Sequence, residues 1–496
     1  MKKKGFILYF VIIIVIMGIG SMNKILTYPS MIASVILAIM LGRAFVNKPS
    51  VDMCEGIILL LMFQNFSIGL GAHYLGNTDS SLKFITQIPF LTIFTIWFII
   101  TLHDLKRKNE DKTSKFFGVL LICIFFSCII NRGTVLAILT NLRNMTVFYM
   151  AYVIGKKGIR SEIELGKFIN FLIKIASIFL FFGVVLLITG YEGYSLIGIK
   201  EVYIAKGVSN VRDSLDGRFH TTLISRQYTR MGSLLYEPVN LAYFYAAVSI
   251  LTIFGRWTTN KFKKVFFSLV SIIGLILTFG KGGYMIFGIA ISAYYLGIFI
   301  KAFLGKINSK LAFKITAIFC VIGVTVFCIY YYKNIGAAVS PHFWGIERTW
   351  KSVMKQPWGY GLGTGGNAAQ TFNSSNGDWL ETGGETALMS FMYQIGIQGI
   401  LALILTMLSM INIGKKQFFR KEDKDIGRLI GIFNYIPIVL IGVSLLQDNT
   451  FTPQCIVVYM FVIGALKNMT QNPQKFQQKN HSKLLPTNKQ NGIMNP

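Results

Sequence analysis

Residues 168–190 read FINFLIKIASIFLFFGVVLLITG, and this stretch decides the fold class. Crossing a hydrocarbon core takes ~20 mostly apolar residues in a helix rising about 1.5 Å per residue. Comparable runs recur on either side, at approximately residues 6–22, 29–46, 55–71, 84–102, 116–130, 134–154, 234–255, 264–280, 283–304, 311–332, 386–411, 428–446 and 454–466. Lipid offers an open backbone no hydrogen-bond partner, and no alternation suited to a barrel is present, so each run is expected to be a helix. Several are short by strict count, which gives an expectation of roughly 12–14 transmembrane helices. The expected fold is therefore all-α, a polytopic integral-membrane helical bundle. Composition agrees, because the chain is 53% hydrophobic and only 14% charged, outside the range of soluble domains.

The formal net charge of +28 would suit nucleic acid if a soluble domain presented it. The basic residues instead gather in short connections: Lys2-Lys3-Lys4, Lys106-Arg107-Lys108, Lys156-Lys157 with Arg160, Arg256 with Lys261, Lys263 and Lys264, Lys301 with Lys306 and Lys310, and Lys415-Lys416 with Arg420 and Lys421. With the spans above, every cluster falls on one side, expected to be the cytoplasm by the positive-inside rule. Both termini then lie inside and no nucleic-acid partner is expected. Residues 1–466 form the expected membrane domain, and the Asn-, Gln- and Lys-rich residues 467–496 an expected disordered cytoplasmic tail. The six cysteines sit in or beside apolar runs and are expected to be reduced packing residues. No Cys or His pair has metal-ligand spacing, so neither metal nor cofactor is expected.

Two segments on the opposite, extracytoplasmic side are too long to be simple connectors: 191–232 and 333–385. The first holds Arg212, Arg218, Arg226 and Arg230 and leads to Glu237-Pro238 at the mouth of a span. Proline is tolerated there because the first turn of a helix has no donor to lose. The second holds Arg348, a turn with glycines at 359, 361, 363, 365 and 366, and Glu385 where the loop enters the next span. Arginine forks bind phosphate and carboxylate oxygens bidentately and stay charged, which suits an anionic group. Arg230 and Arg348 are the expected cations, with Lys281 in the turn Gly280–Gly283 as a third, or else a snorkelling interfacial lysine. Glu385 is an expected general base, or else a first-turn acid facing the helix dipole. Glu237, Glu381 and Asp378 stand in reserve.

Gly361 and Gly363 are expected to let the backbone close around a ligand, unless the turn is merely flexible. Trp344, Trp350, Trp358, Tyr360 and Trp379 offer faces for stacking against a ligand or for an interfacial belt. Gln394 and Gln398 are expected to face the protein interior. Arg143, with Asn141 and Asn144, interrupts another apolar run, so that span is shorter than drawn or lines a hydrated cavity.

Four segments, RMGSLLYEPVNLAYF (230–244), TFGKGGYMIFGIAIS (278–292), ERTWKSVMKQPWGYGLGTGG (347–366) and GGETALMSFMYQIGIQGI (383–400), together resemble successive landmarks of the O-antigen polymerase and ligase superfamily. The resemblance covers residues 226–412; the N-terminal half matches only in its hydropathy pattern. It implies a metal-independent glycosyltransferase acting on polyprenyl-diphosphate-linked oligosaccharides at the outer face of a bacterial cytoplasmic membrane. It also implies that Arg230 and Arg348 meet the donor and that Glu385 meets the acceptor. Lys281, Glu237, Arg226, Arg143, Gly361 and Gly363 are the expected substrate contacts. Ligases of the superfamily are expected to carry a histidine at this helix mouth, where the chain has Gly383-Gly384-Glu385. That departure favours a polymerase, with membrane lipid and a chain-length regulator as further partners. A lipid-linked oligosaccharide flippase is the alternative from another class, although such transporters usually show internal repeats, which are absent here.

Overall fold

The structure is a computed structural model, describing residues 5–75, 82–105, 111–131, 133–206, 218–223, 226–303, 311–319, 340–373, 380–411 and 424–471. It is a helical membrane bundle. In chain order the helices are α1 (Gly5–Met22), α2 (Lys24–Asn47), α3 (Val51–Tyr74), α4 (Leu82–Ile85), α5 (Ile88–Leu105), α6 (Lys112–Ile130), α7 (Val135–Gly158), α8 (Glu162–Leu196) and α9 (Ile199–Ala205). They continue as α10 (Pro238–Phe254), α11 (Lys261–Thr278), α12 (Lys281–Phe303), α13 (Ser340–Lys355), α14 (Gly366–Asn373), α15 (Ala387–Ser409), α16 (Lys424–Ser444) and α17 (Pro453–Gln471). A two-stranded antiparallel hairpin, β1 (His220–Leu223) with β2 (Arg226–Thr229), pairs His220 with Thr229 and Leu223 with Arg226.

Among the described residues, nine helical segments are long and apolar enough to cross a membrane. Of the other expected spans, α10 is apolar but only 17 residues long, and most of 311–332 lies outside the described residues. Helices α10 and α17 lie almost wholly inside the protein, and α7 carries Asn141, Arg143 and Asn144 on an unbroken helix. Helices ringed by protein need not be uniformly apolar, because neighbouring side chains rather than lipid meet their polar groups. The outer helices instead expose large apolar side chains such as Ile188, Phe262 and Phe303, as a lipid-facing surface requires.

The bundle has two chemically different ends. At one, Lys156 pairs with Asp111 (2.9 Å) and Lys157 with Asp104 (2.6 Å). Here Lys467 also donates to the carbonyls of Ser409 and Ile411. At the other end the opposite termini of α7, α10, α15 and α17 converge on a polar cavity.

The structure also corrects boundaries. The segment expected as a loop from 191 continues helically to Leu196, beyond a kink at Gly190, and then forms α9 and the hairpin. The segment expected as a loop from 333 contains α13 and α14. Helix α17 runs to Gln471, so the expected start of the tail at Lys467 is helical. Of the expected span 311–332, residues 311–319 are helical and the remainder lies outside the described residues.

Candidate functional site

The cavity is about 220 Å³, and its charged wall begins with the approach to α10. Arg230 N donates to Phe219 O (2.7 Å), Met231 N to Leu277 O (2.9 Å), and Ser233 Oγ to Phe179 O (2.6 Å). Ser233 and Tyr236 both hold positive φ angles, 49° and 58°. Such conformations cost of order 1–3 kcal/mol each and persist only where surrounding contacts enforce them. The contacts here are Asn65 Nδ2 to Leu235 O (2.6 Å) and Tyr203 Oη to Tyr236 O (3.0 Å). Pro238 occupies the first helical turn. This strained, pinned segment aims the next side chain, Glu237, into the cavity.

Glu237 is buried and shared by two cations. Its Oε1 accepts from Lys206 Nζ (2.9 Å) and Arg218 Nη1 (3.1 Å), and its Oε2 accepts from Arg218 Nη1 (3.2 Å). Tyr203 supports both cations, with Lys206 Nζ 5.3 Å and Arg218 Cζ 5.4 Å from its ring centre. Burial alone would raise the Glu237 carboxyl, but the charges and hydrogen bonds of Lys206 and Arg218 override it and hold it at about 2. Burial pushes Lys206 below the usual lysine range, with Glu237 opposing; the carboxylate of Glu237 pushes Arg218 upward. One carboxylate thus holds two cations side by side, leaving an excess of positive charge facing the cavity.

The remainder of the wall is rich in amides. Gln64 and Asn65 of α3, Asn141 and Asn144 of α7, and Asn240 of α10 all line it. Arg143 joins them and donates from Nε to Asn144 Oδ1 (3.1 Å); no carboxylate partner is present among the described residues. The mouth is framed by Gly384, Asn367 of α14 and Asp448, the last hydrogen-bonded by Asn367 Nδ2.

The expected site residues fall into separate places. Glu237 and Arg143 line the cavity. Arg230 does not: its guanidinium donates to Thr278 O (3.2 Å) and Arg218 O (3.4 Å). It borders a second cavity of about 280 Å³ with Leu186, Leu187, Tyr191, Tyr194 and Phe219. Arg348 is exposed on α13, and Lys281 and Glu385 are exposed; none of the three lines either cavity among the described residues. Arg226 belongs to β2. Its side chain, that of His342, and residues Arg212, Asp378 and Trp379 lie outside the described residues.

Gly361 and Gly363 pack against the protein's own backbone and do not line the cavity. Helix α15 breaks at Gly396 (φ 70°, ψ −179°), which frees carbonyls that lipid could not satisfy. The glycine turn inserts beside this break. Tyr360 N donates to Tyr393 O (2.8 Å), Gly361 N to Gln394 O (3.2 Å), and Ile397 N to Pro357 O (3.0 Å). Gly363 N donates to the Gln394 side chain (2.8 Å), whose Nε2 reaches Asn141 Oδ1 (3.2 Å). Gln394 is fully buried, while Gln398 is half-buried and reaches Trp358 O (3.2 Å). A Cβ on Gly361, where φ is 108°, would stand 2.2 Å from Asn131 O. Gly361→Ala should therefore destabilise the bundle by about 2 kcal/mol or more, read as a lower unfolding temperature in detergent; an unchanged temperature would remove this packing role. Trp344, Trp350 and Trp358 are exposed, and Tyr360 stacks on Tyr393 with ring centres 4.4 Å apart.

Lys206, Asn367 and Asp448 escaped the sequence reading. Asp448 carried the clearest signal, an acid in the short link between the last two spans. Lys206 and Asn367 meet their carboxylates only through tertiary packing. Comparison with models of known protein families, with curated proteins and with solved structures returned no match.

Proposed function

We propose that the chain is a polysaccharide polymerase, joining oligosaccharide repeat units carried on a polyprenyl diphosphate. The observation that supports this most is the Lys206–Glu237–Arg218 group, which presents a fixed excess of positive charge to an amide-lined cavity at one end of a membrane bundle. A preorganised cation pair costs no reorganisation when a diphosphate departs, and electrostatics of this kind is usually the largest catalytic contribution. Amide side chains donate and accept hydrogen bonds, which matches the hydroxyl groups of sugars.

In this reading the growing chain, still linked to its carrier, is the donor. The acceptor is a hydroxyl at the non-reducing end of a fresh lipid-linked unit. Attack at the donor's anomeric carbon forms the new glycosidic bond and expels the carrier diphosphate toward Lys206 and Arg218. The second, largely apolar cavity suits the carrier's first isoprene units. Arg218 and Phe219 adjoin in sequence, and one lines each cavity. The cavity end is the outer face of the cytoplasmic membrane, with the basic end inside by the positive-inside rule; both chain termini are then cytoplasmic.

Cells lacking this chain should accumulate single lipid-linked repeat units on the outer face and make no polymer. Accumulation confined to the inner leaflet would instead identify a flippase and refute the polymerase.

A further inference from the structure

We propose that Asp448 is the catalytic base, taking the proton of the acceptor hydroxyl; this deepens the polymerase reading and rests on it. Among the described residues, two carboxylates line the cavity, Glu237 and Asp448. Glu237 has both oxygens committed to cations, so it is a structural counter-ion and a poor proton acceptor. Glu381 and Glu385 are exposed and do not line the cavity among the described residues. Asp448 lines it, and only its Oδ2 is hydrogen-bonded, to Asn367. No bond to Oδ1 is present among the described residues.

The placement is firm. Asp448 opens the short 3-10 turn Asp448–Phe451 between α16 and α17, and the preceding Gln447 O accepts from Ala387 N of α15 (3.4 Å). The charged groups that line the cavity with it are Arg143, Lys206, Arg218 and Glu237, and Glu385 also acts on it electrostatically. Cys455 follows on α17, and Tyr243 bonds through its hydroxyl to Thr450 (2.9 Å). Burial raises the Asp448 carboxyl above its usual range, while Arg218 opposes the rise. A general base works best when its pKa approaches the working pH.

The step balances without a co-reactant. The acceptor O–H gives its proton to the Asp448 carboxylate while the oxygen lone pair forms the bond to the anomeric carbon. The bond from that carbon to the phosphate oxygen breaks, and its electron pair leaves with the diphosphate. The proton then passes from Asp448 to water. Asn367, on α14, is a positioning residue because it fixes the carboxylate through Oδ2.

The test compares wild type, Asp448→Asn, Asp448→Glu and Asn367→Ala in membranes supplied with lipid-linked repeat units, following the rate against pH. Asp448→Asn should lose about 100-fold or more with KM and unfolding temperature nearly unchanged. Asp448→Glu should keep measurable activity with a displaced acidic limb, and Asn367→Ala should displace that limb too. Asp448→Asn working at more than a tenth of the wild-type rate would overturn the proposal. So would an undisplaced limb in Asp448→Glu, which also decides the matter if the asparagine variant fails to fold. A wild-type chain that joins no repeat units would overturn the polymerase reading itself, an outcome distinct from an active Asp448→Asn.

Discussion

Arg218→Ala should reduce polymer formation by about 100-fold or more, the usual loss when one preorganised charge donor is removed from a reacting centre. Its Nη1 is committed to Glu237, yet the side chain is 47% exposed, leaving much of the guanidinium open to the cavity. Lys206 alone would then face the departing diphosphate, and Glu237 would neutralise it. Arg218→Lys should recover only part of the rate, because a point charge cannot serve Glu237 and a phosphate through separate prongs of one planar fork. Arg348→Ala, on the exposed face of α13, is the contrast and should stay within about threefold of wild type, well short of a lost oxyanion donor. The reverse ranking, measured as polymer per folded protein, would move the leaving-group site from α9 and the hairpin to α13.

Glu237→Gln should be the most destabilising single substitution at the site. Removing one member of a buried charge group leaves the others uncompensated, at a typical cost of about 3–5 kcal/mol. Here Lys206 and Arg218, both bound to Glu237, would be left to repel each other. The pH dependence has a definite direction. The folded carboxyl lies at about 2 against an ordinary value of 4.5. Its contribution is therefore complete above pH 4.5 and is lost as pH falls from 4.5 towards 2. Wild-type unfolding temperature should drop through that window, and Glu237→Gln should lack this component. Equal acid sensitivity in both proteins would mean that the ion-pair group contributes nothing to the folded state.

How much of this was legible in the sequence follows from the range of each interaction. Span positions rest on local hydropathy, so most were readable, and Pro238 correctly marked the start of a helix at Glu237. The proposal of an anionic ligand rests, in sequence, on the crowd of arginines between 212 and 230. Which arginine faces the cavity was not readable. Arg230 is spent on backbone carbonyls of residues 218 and 278, whereas Arg218 finds Glu237, and only the folded hairpin decides between them. The packing partners of the glycine turn were hidden for a similar reason. Glycine signals close approach of backbone, and here the approaching groups are Asn131 and the broken helix at Gly396. Conversely, Arg143 on α7 posed two options in sequence, and an unbroken helix beside a polar cavity selects the second. Membrane ends were the least readable, because α8 and α17 continue past their apolar runs.

The central claim is that this chain by itself forms glycosidic bonds between lipid-linked repeat units. The purified protein should be placed in liposomes with a polyprenyl-diphosphate-linked repeat unit as the sole substrate, and the products resolved by size. The account predicts a ladder of multiples of the repeat unit, with free polyprenyl diphosphate released once per bond and both signals abolished in Arg218→Ala. Substrate that crosses the bilayer unchanged in size, with no diphosphate carrier released, would contradict it.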